Sequence, residues 1–145
     1  MRNAIFVPLL LVSLFATACL GDERGSAPLP TPSFDCSGAL SVDEAWEAAT
    51  KQPGGKYFVT GRVFAAEEPS GNIAFDLPPS LRLGGPPDSQ HSLSVWVSRD
   101  VEAKKYLGRT ICFRGTAGLL PEDPSDPGVR IVFLDVRSRD MGVLD

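Results

Sequence analysis

The sequence predicts a mainly β domain of five strands, with one helix ahead of them and a short second helix between strands three and four. Three observations lead there. Five segments between residues 56 and 137 alternate apolar and polar side chains with the period of a half-buried strand. One stretch near residue 42 joins a helix start signal to apolar residues at helical spacing. Gly and Pro number 14 and 13 in 145 residues, which favours many turns and little helix.

The chain opens on an address. Met1-Arg2-Asn3 precede an apolar run, Ala4 to Phe15, and then the small residues Ala16-Thr17-Ala18. This is the order of a secretory signal. The apolar run is short for a bilayer core of about 30 Å. It contains Pro8 and is followed by Asp22 and Glu23 rather than a basic cluster, so a leader is expected and not a spanning helix. Ala16-Thr17-Ala18-Cys19 resembles the lipobox of bacterial lipoproteins, with Ala16 where that family usually has Leu. The resemblance implies a signal peptide over residues 1–18, and a diacylglyceryl thioether on Cys19 with an acylated (for example palmitoylated) amino terminus. It also implies an extracytoplasmic domain anchored to a bacterial membrane. One acyl chain binds membranes marginally, whereas two or more anchor stably.

Residues 19–35 read as the tether. They are small, polar and Pro-rich, and Pro28, Pro30 and Pro32 favour an extended chain at about 3.1 Å per residue. The folded domain is then 36–145. Once Cys19 carries lipid, Cys36 and Cys112 remain. An even remainder in an oxidising compartment predicts one disulfide, and no Cys-x-x-Cys spacing suggests redox activity.

Within the domain, Ser41-Val42-Asp43-Glu44 forms a capping box, and Val42, Ala45, Trp46 and Ala49 share one face. A helix over 42–51 is expected, stopped by Pro53-Gly54-Gly55, with Trp46 as a core anchor. The first strand is expected over 56–66, with Val59, Gly61 and Val63 on one face and Phe58, Thr60, Arg62 and Phe64 on the other. The second is expected over 71–77, continuing past Pro78-Pro79 into 81–83. A loop over 84–91 leads to the third strand, 92–98, with Trp96 on its polar face. Two helical turns over 100–107 end at Gly108. The fourth strand is expected over 109–117, a loop over 119–128, and the fifth strand over 129–137. With Ile111 and Phe113 facing inward, Cys112 faces outward. A bond to Cys36 then draws the N-terminal segment across the outside of the sheet, with the helix and Trp46 covering part of it.

Tyr57-Phe58-Val59-Thr60-Gly61-Arg62-Val63 and Gly108-Arg109-Thr110-Ile111-Cys112-Phe113-Arg114-Gly115-Thr116-Ala117 share a hydrophobic-x-Gly-x-hydrophobic core. With the element order, they resemble the OB-fold, a five-stranded, partly open barrel with a helix between strands three and four. The likeness covers residues 40–140. It implies strand one and strand four for these two segments, and a binding face on strands two and three. The long Pro/Gly-rich insertion between strands two and three departs from the pattern.

No catalytic constellation stands out. His91 is the single histidine and has no Cys or His neighbour at metal-ligand spacing, so neither a zinc site nor a cofactor is expected. Asp88, Glu122, Asp123 and Asp126 lie beside prolines, where turn formation explains them. Phe58, Arg62, Phe64, Trp96, Arg114 and Arg130 are the candidate ligand-binding residues, because aromatic and Arg side chains together stack on sugars or bases. Burial beneath the N-terminal segment and the long loop competes with that role. The formal net charge of −4 argues against nucleic acid as the main partner. The reading reached is a membrane-held, non-enzymatic binding module with an envelope protein or glycan as partner. A single-strand or oligosaccharide-binding OB domain and an extracytoplasmic hydrolase are the alternatives.

Overall fold

A computed structural model describes residues 28–72, 75–120 and 130–145. The expected signal peptide, Cys19, the first part of the tether and the loop carboxylates Glu122, Asp123 and Asp126 lie outside the described residues.

The elements run α1 (Val42–Lys51), β1 (Lys56–Glu67), β2 (Ser70–Asn72), β3 (Phe75–Leu77), β4 (Ser80–Gly84), β5 (Ser92–Val97), β6 (Thr110–Leu120), β7 (Arg130–Val136) and β8 (Met141–Val143). Two single 3₁₀ turns, Ala103–Tyr106 and Ser138–Asp140, complete them. Five strands close a barrel in the order β1-β4-β5-β7-β6, with β6 pairing back onto β1. Every barrel pairing is antiparallel except β5 with β7. This is the small OB-like barrel that the alternation and the element order predict. Closure leaves no free edge among the five strands.

The barrel's interior follows from strand alternation. Val59 and Val63 of β1, Leu81 and Leu83 of β4, Leu93, Val95 and Val97 of β5, Ile111 and Phe113 of β6, and Ile131 and Phe133 of β7 are all buried. Phe113 and Phe133 meet edge to face, 5.1 Å between ring centres. α1 opens with the predicted capping box. The Ser41 side chain accepts from the Glu44 amide, and the Ser41 amide donates to the Glu44 carboxylate at 2.8 Å. That bond and the one from the Ser41 hydroxyl hold the Glu44 carboxyl below its usual pKa.

Four expectations need correction. α1 does not lie on the outside of the sheet. It touches all five barrel strands, and Val42, Ala45 and Ala49 enter the common core, so it closes one end of the barrel. Small side chains on that face let the helix sit in the mouth, and Gly61 and Gly84 leave room for Val42. Second, the segment over 71–77 is not a barrel strand. β2 and β3 form their own hairpin, and Pro78-Pro79 end it before β4 supplies the second barrel strand. Third, the helix expected over 100–107 is a single 3₁₀ turn. Its Ala103 and Tyr106 are buried, and it packs against β1 and β4. Fourth, β6 runs on through Leu119 and Leu120, because β7 pairs with it to the end.

The expected disulfide joins Cys36 to Cys112, with Cα atoms 6.3 Å apart. Cys112 is fully buried although it faces away from the barrel interior, because the N-terminal segment covers it. Residues 28–35, expected as free tether, instead lie along the barrel. The Val143 amide donates to the Pro30 carbonyl, Leu29 packs against the core, and Pro32 rests on Gly142 where a Cβ would collide. Pro32, Phe34 and Cys36 are the half-buried residues of this strap and alternate with exposed Thr31, Ser33 and Asp35. An extended chain gives that period of two.

Candidate functional site

β6 has two partners on one edge. β7 pairs with it from Thr116 to Leu120, and β8 pairs with it from Ile111 to Phe113. Between those ladders Arg114 and Gly115 are skipped. β7 leaves β6 there, because Val136 joins Val97 of β5 after a register shift that places Asp135 in the left-handed region, at φ 49°. The chain then returns to β6 through the Ser138–Asp140 turn.

The space that opens is a groove of about 520 Å³, within the size range of ligand clefts. Its floor is the outer face of β1 and β6. Lys56 opposes Thr116, and Thr116 opposes Leu134, in one row across three strands. Phe58 opposes Arg114 in the next row. Such cross-strand neighbours lie about 5 Å apart. Arg137, Arg139, Asp135 and Asp140 complete the wall. Arg137 reaches Asp135 at 3.6 Å, and Arg139 reaches Asp140 at 4.0 Å. Among the described residues, Lys56 and Arg114 have no carboxylate within 4 Å. Four cations therefore face two carboxylates.

Arg114 is held by rings rather than by an anion. Its guanidinium carbon lies 4.4 Å from the centre of Phe34 and 5.2 Å from that of Phe58, and these rings meet edge to face at 5.4 Å. Attraction of a cation to a ring face leaves guanidinium N–H groups free to point into the groove. The strap thus positions one side chain of the groove without lining it.

The structure brings together two of the six predicted binding residues, Phe58 and Arg114. Phe64 and Trp96 lie on the outer face of β1, β4 and β5, together with exposed Arg82, which stands opposite Ser94. Phe64 sits in a bulge of β1 and is 49% exposed, so it does not pack under the N-terminal segment. Arg62 is exposed beside Thr110 at the other end of the β1–β6 ladder. Arg130 begins β7, far along the strand from Leu134. Sequence reasoning missed Lys56, Arg137, Arg139 and Phe34. A cluster of basic residues over 137–139 was visible, but nothing local showed that it would face Arg114.

His91 is fixed within the loop over 84–91. Its Nδ1 lies 2.9 Å from Asp43 Oδ1, and its ring stacks on Trp46 at 3.9 Å and 13° from parallel. Asp43 also accepts from the His91 and Gln90 amides. Desolvation pushes the Asp43 carboxyl up, but the bonds from the His91 ring and these two amides outweigh it, and its pKa lies below the ordinary value. Ser89 Oγ is engaged by the Gly85 amide and the His91 carbonyl. The trio staples α1 to the loop. Among the described residues no group of three or more His, Cys, Asp or Glu is arranged to hold a metal ion, and no helix is long and apolar enough to cross a membrane.

No family model matches the chain, and no curated protein matches it either.

Proposed function

We propose that this protein is a non-enzymatic binding module of the cell envelope, held outside the cytoplasm by lipid on Cys19, and that the β1–β6–β7 groove is its ligand site. The observation that carries the reading is Arg114, held on two rings with no carboxylate partner among the described residues, in the wall of a cleft of about 520 Å³. An exposed guanidinium lining a cleft, held in place by two rings, is a strong recognition group for carboxylate, sulfate or phosphate. The lipobox-like Ala16-Thr17-Ala18-Cys19 supports the address, and the Cys36–Cys112 disulfide accords with an oxidising compartment.

The test is a photo-crosslinking amino acid placed at Thr116, inside the groove, and at Glu47, exposed on α1. A discrete adduct in intact cells from position 116 and none from position 47 supports the reading. Equal labelling, or no adduct from either, rejects the groove as the site. The mass of the mature protein tests the anchor separately, and a chain that starts at Cys19 with added acyl groups is expected.

A second reading rests on Phe64, Arg82 and Trp96, which occupy the face OB-folds use for oligosaccharides and single strands. Titration of a fluorescent oligosaccharide or oligonucleotide at low salt separates the two readings. Binding lost in Trp96→Ala and kept in Arg114→Gln would move the site to that face.

A further inference from the structure

The groove and the incoming chain meet at one place. Pro28, Leu29 and Pro30 share a small cavity of about 180 Å³ with Ser138. Arg137 and Arg139, the neighbours of Ser138, form the groove's cationic rim. From Cys19 to Pro28 the chain has nine peptide links, which extended reach about 30 Å at most. An anchor at Cys19 therefore keeps this rim near the bilayer. Asp100, Glu102 and Lys105 also line the small cavity, so the positive charge that suits this placement is that of the groove itself. The chain is net −4, yet four of its 14 Lys and Arg residues line this one groove.

We propose that the groove seats the phosphate of an anionic lipid headgroup in the membrane that holds the anchor, with Lys56, Arg114, Arg137 and Arg139 as its cations. This rests on the lipid-anchored reading above and names the ligand of the same site. Phosphate offers several acceptor oxygens to the planar guanidinium of Arg114 and to the mobile ammonium of Lys56. Leu134 and Phe58 give the glycerol and upper acyl carbons an apolar floor. Each cation near an anionic surface strengthens association about fivefold. Headgroup contact would fix how the barrel stands on the membrane, and would turn the Phe64–Trp96 face toward other partners.

The mature, acylated protein is reconstituted into vesicles of phosphatidylcholine alone or of phosphatidylcholine with phosphatidylglycerol. The readout is the rate at which Lys56 reacts with an amine-directed reagent, with Lys51 on α1 as internal reference. A rate at Lys56 about fivefold slower in the phosphatidylglycerol vesicles is expected. High salt should abolish the difference, since the screening length falls to about 3 Å at 1 M. The double variant Arg137→Glu/Arg139→Glu, exposed enough to fold, should also lose it, and so should Arg114→Gln. Retention on both vesicles with equal Lys56 rates overturns the proposal and leaves the anchor intact. Equal protection by free glycerol phosphate or by a sulfated glycan on phosphatidylcholine vesicles overturns it too, in favour of a soluble anion. Failure of the protein to stay with either vesicle refutes the anchor, and the membrane-facing groove falls with it.

Discussion

The indole of Trp46 lies flat on the imidazole of His91, 3.9 Å between ring centres and 13° from parallel. The contact joins α1 to the β4–β5 loop across 45 positions of sequence, and Asp43 completes it from one turn earlier on the same helix. Replacing His91 with Ala removes the stack and one ring hydrogen bond. A loss of about 1 kcal/mol in urea-derived stability is expected, the usual worth of an aromatic pair. Trp46→Ala should cost more, because Trp46 also packs against the core. A cost for His91→Ala within error of zero would mean that the loop holds itself.

Acid sensitivity follows from the same carboxylate. The Asp43 pKa lies below its ordinary value in the folded state. Its charged form is thus favoured by folding. The stability it contributes is present above the unfolded-state pKa of about 3.9 and is lost as pH falls through the lower folded value. Glu44, Asp100 and Asp145 are shifted the same way, by bonds from Ser41, Ser98 and Thr110 respectively. Stability should therefore decline as pH falls below about 4, and only modestly, because all four carboxylates are reached by solvent. Asp43→Asn should be less stable at neutral pH, and its stability should depend less on pH in that range. An Asp43→Asn curve parallel to wild type down to pH 2 would contradict this.

Gly61 and Val42 set how deeply α1 enters the barrel. A Cβ at position 61 would lie 2.6 Å from Val42 Cγ2 and 3.2 Å from Leu83 Cδ2. Val is stiff at χ1, so the helix must move or the strand must yield. Gly61→Ala should cost about 1–3 kcal/mol, the range for an overpacked core. Val42→Ala alone should cost about 2 kcal/mol through lost burial. In the double variant the new methyl occupies the space the valine leaves, so the combined cost should fall short of the sum by about 1 kcal/mol or more. Strict additivity in guanidinium melts would show that the glycine serves some other need.

How much of this was legible in the sequence depends on the range of the interaction. The capping box at Ser41 and Glu44 and the alternation of β1, β5 and β6 are local patterns, and the structure follows them. The disulfide came from compartment and counting, which need no geometry. The strap was half read: the outward-facing Cys112 and its bond to Cys36 drew the N-terminal segment across the sheet, but Pro-rich composition, which usually marks solvated chain, hid the packing of residues 28–35. Its half-buried side chains alternate with exposed ones, but that pattern has meaning only once β8 and β6 offer a surface to Pro32 and Phe34. The Trp46–His91 stack and the groove were invisible for the same reason. Arg137 and Arg139 meet Arg114 only because β7 departs from β6, and no residue near 114 announces that departure.

The Cys36–Cys112 bond pins that strap. In the chain-entropy model a loop of about 77 residues contributes about 4 kcal/mol by restricting the unfolded chain. For a small domain that is a large share of total stability. Denaturation with and without reductant should therefore differ by roughly that amount, with Cys36→Ala/Cys112→Ala matching the reduced protein. The reduced form should also lose protection around Phe34 and Phe58 before the barrel opens, which hydrogen exchange on peptides covering 28–40 and 56–62 would register. A reduced protein as stable as the oxidised one would show that strap packing alone suffices.

Asp135 is, among the described residues, the one non-glycine residue with positive φ, and it stands where the groove begins. Asp tolerates that region better than most residues, yet a side chain held there still costs about 1 kcal/mol. Asp135→Gly should remove the strain and raise stability by about 0.5–1 kcal/mol, with the higher entropy of an unfolded glycine limiting the gain. Asp135→Val should lower it by about 1–2 kcal/mol, since a β-branched side chain fits the left-handed region worst. The lost ion pair with Arg137 contributes little to either result, because both partners are more than half exposed. The order Gly above Asp above Val is expected in thermal melts. The reverse order would mean that β7 regularises without its bulge, and the Arg114–Gly115 gap in the β6 ladder would then close along with the groove.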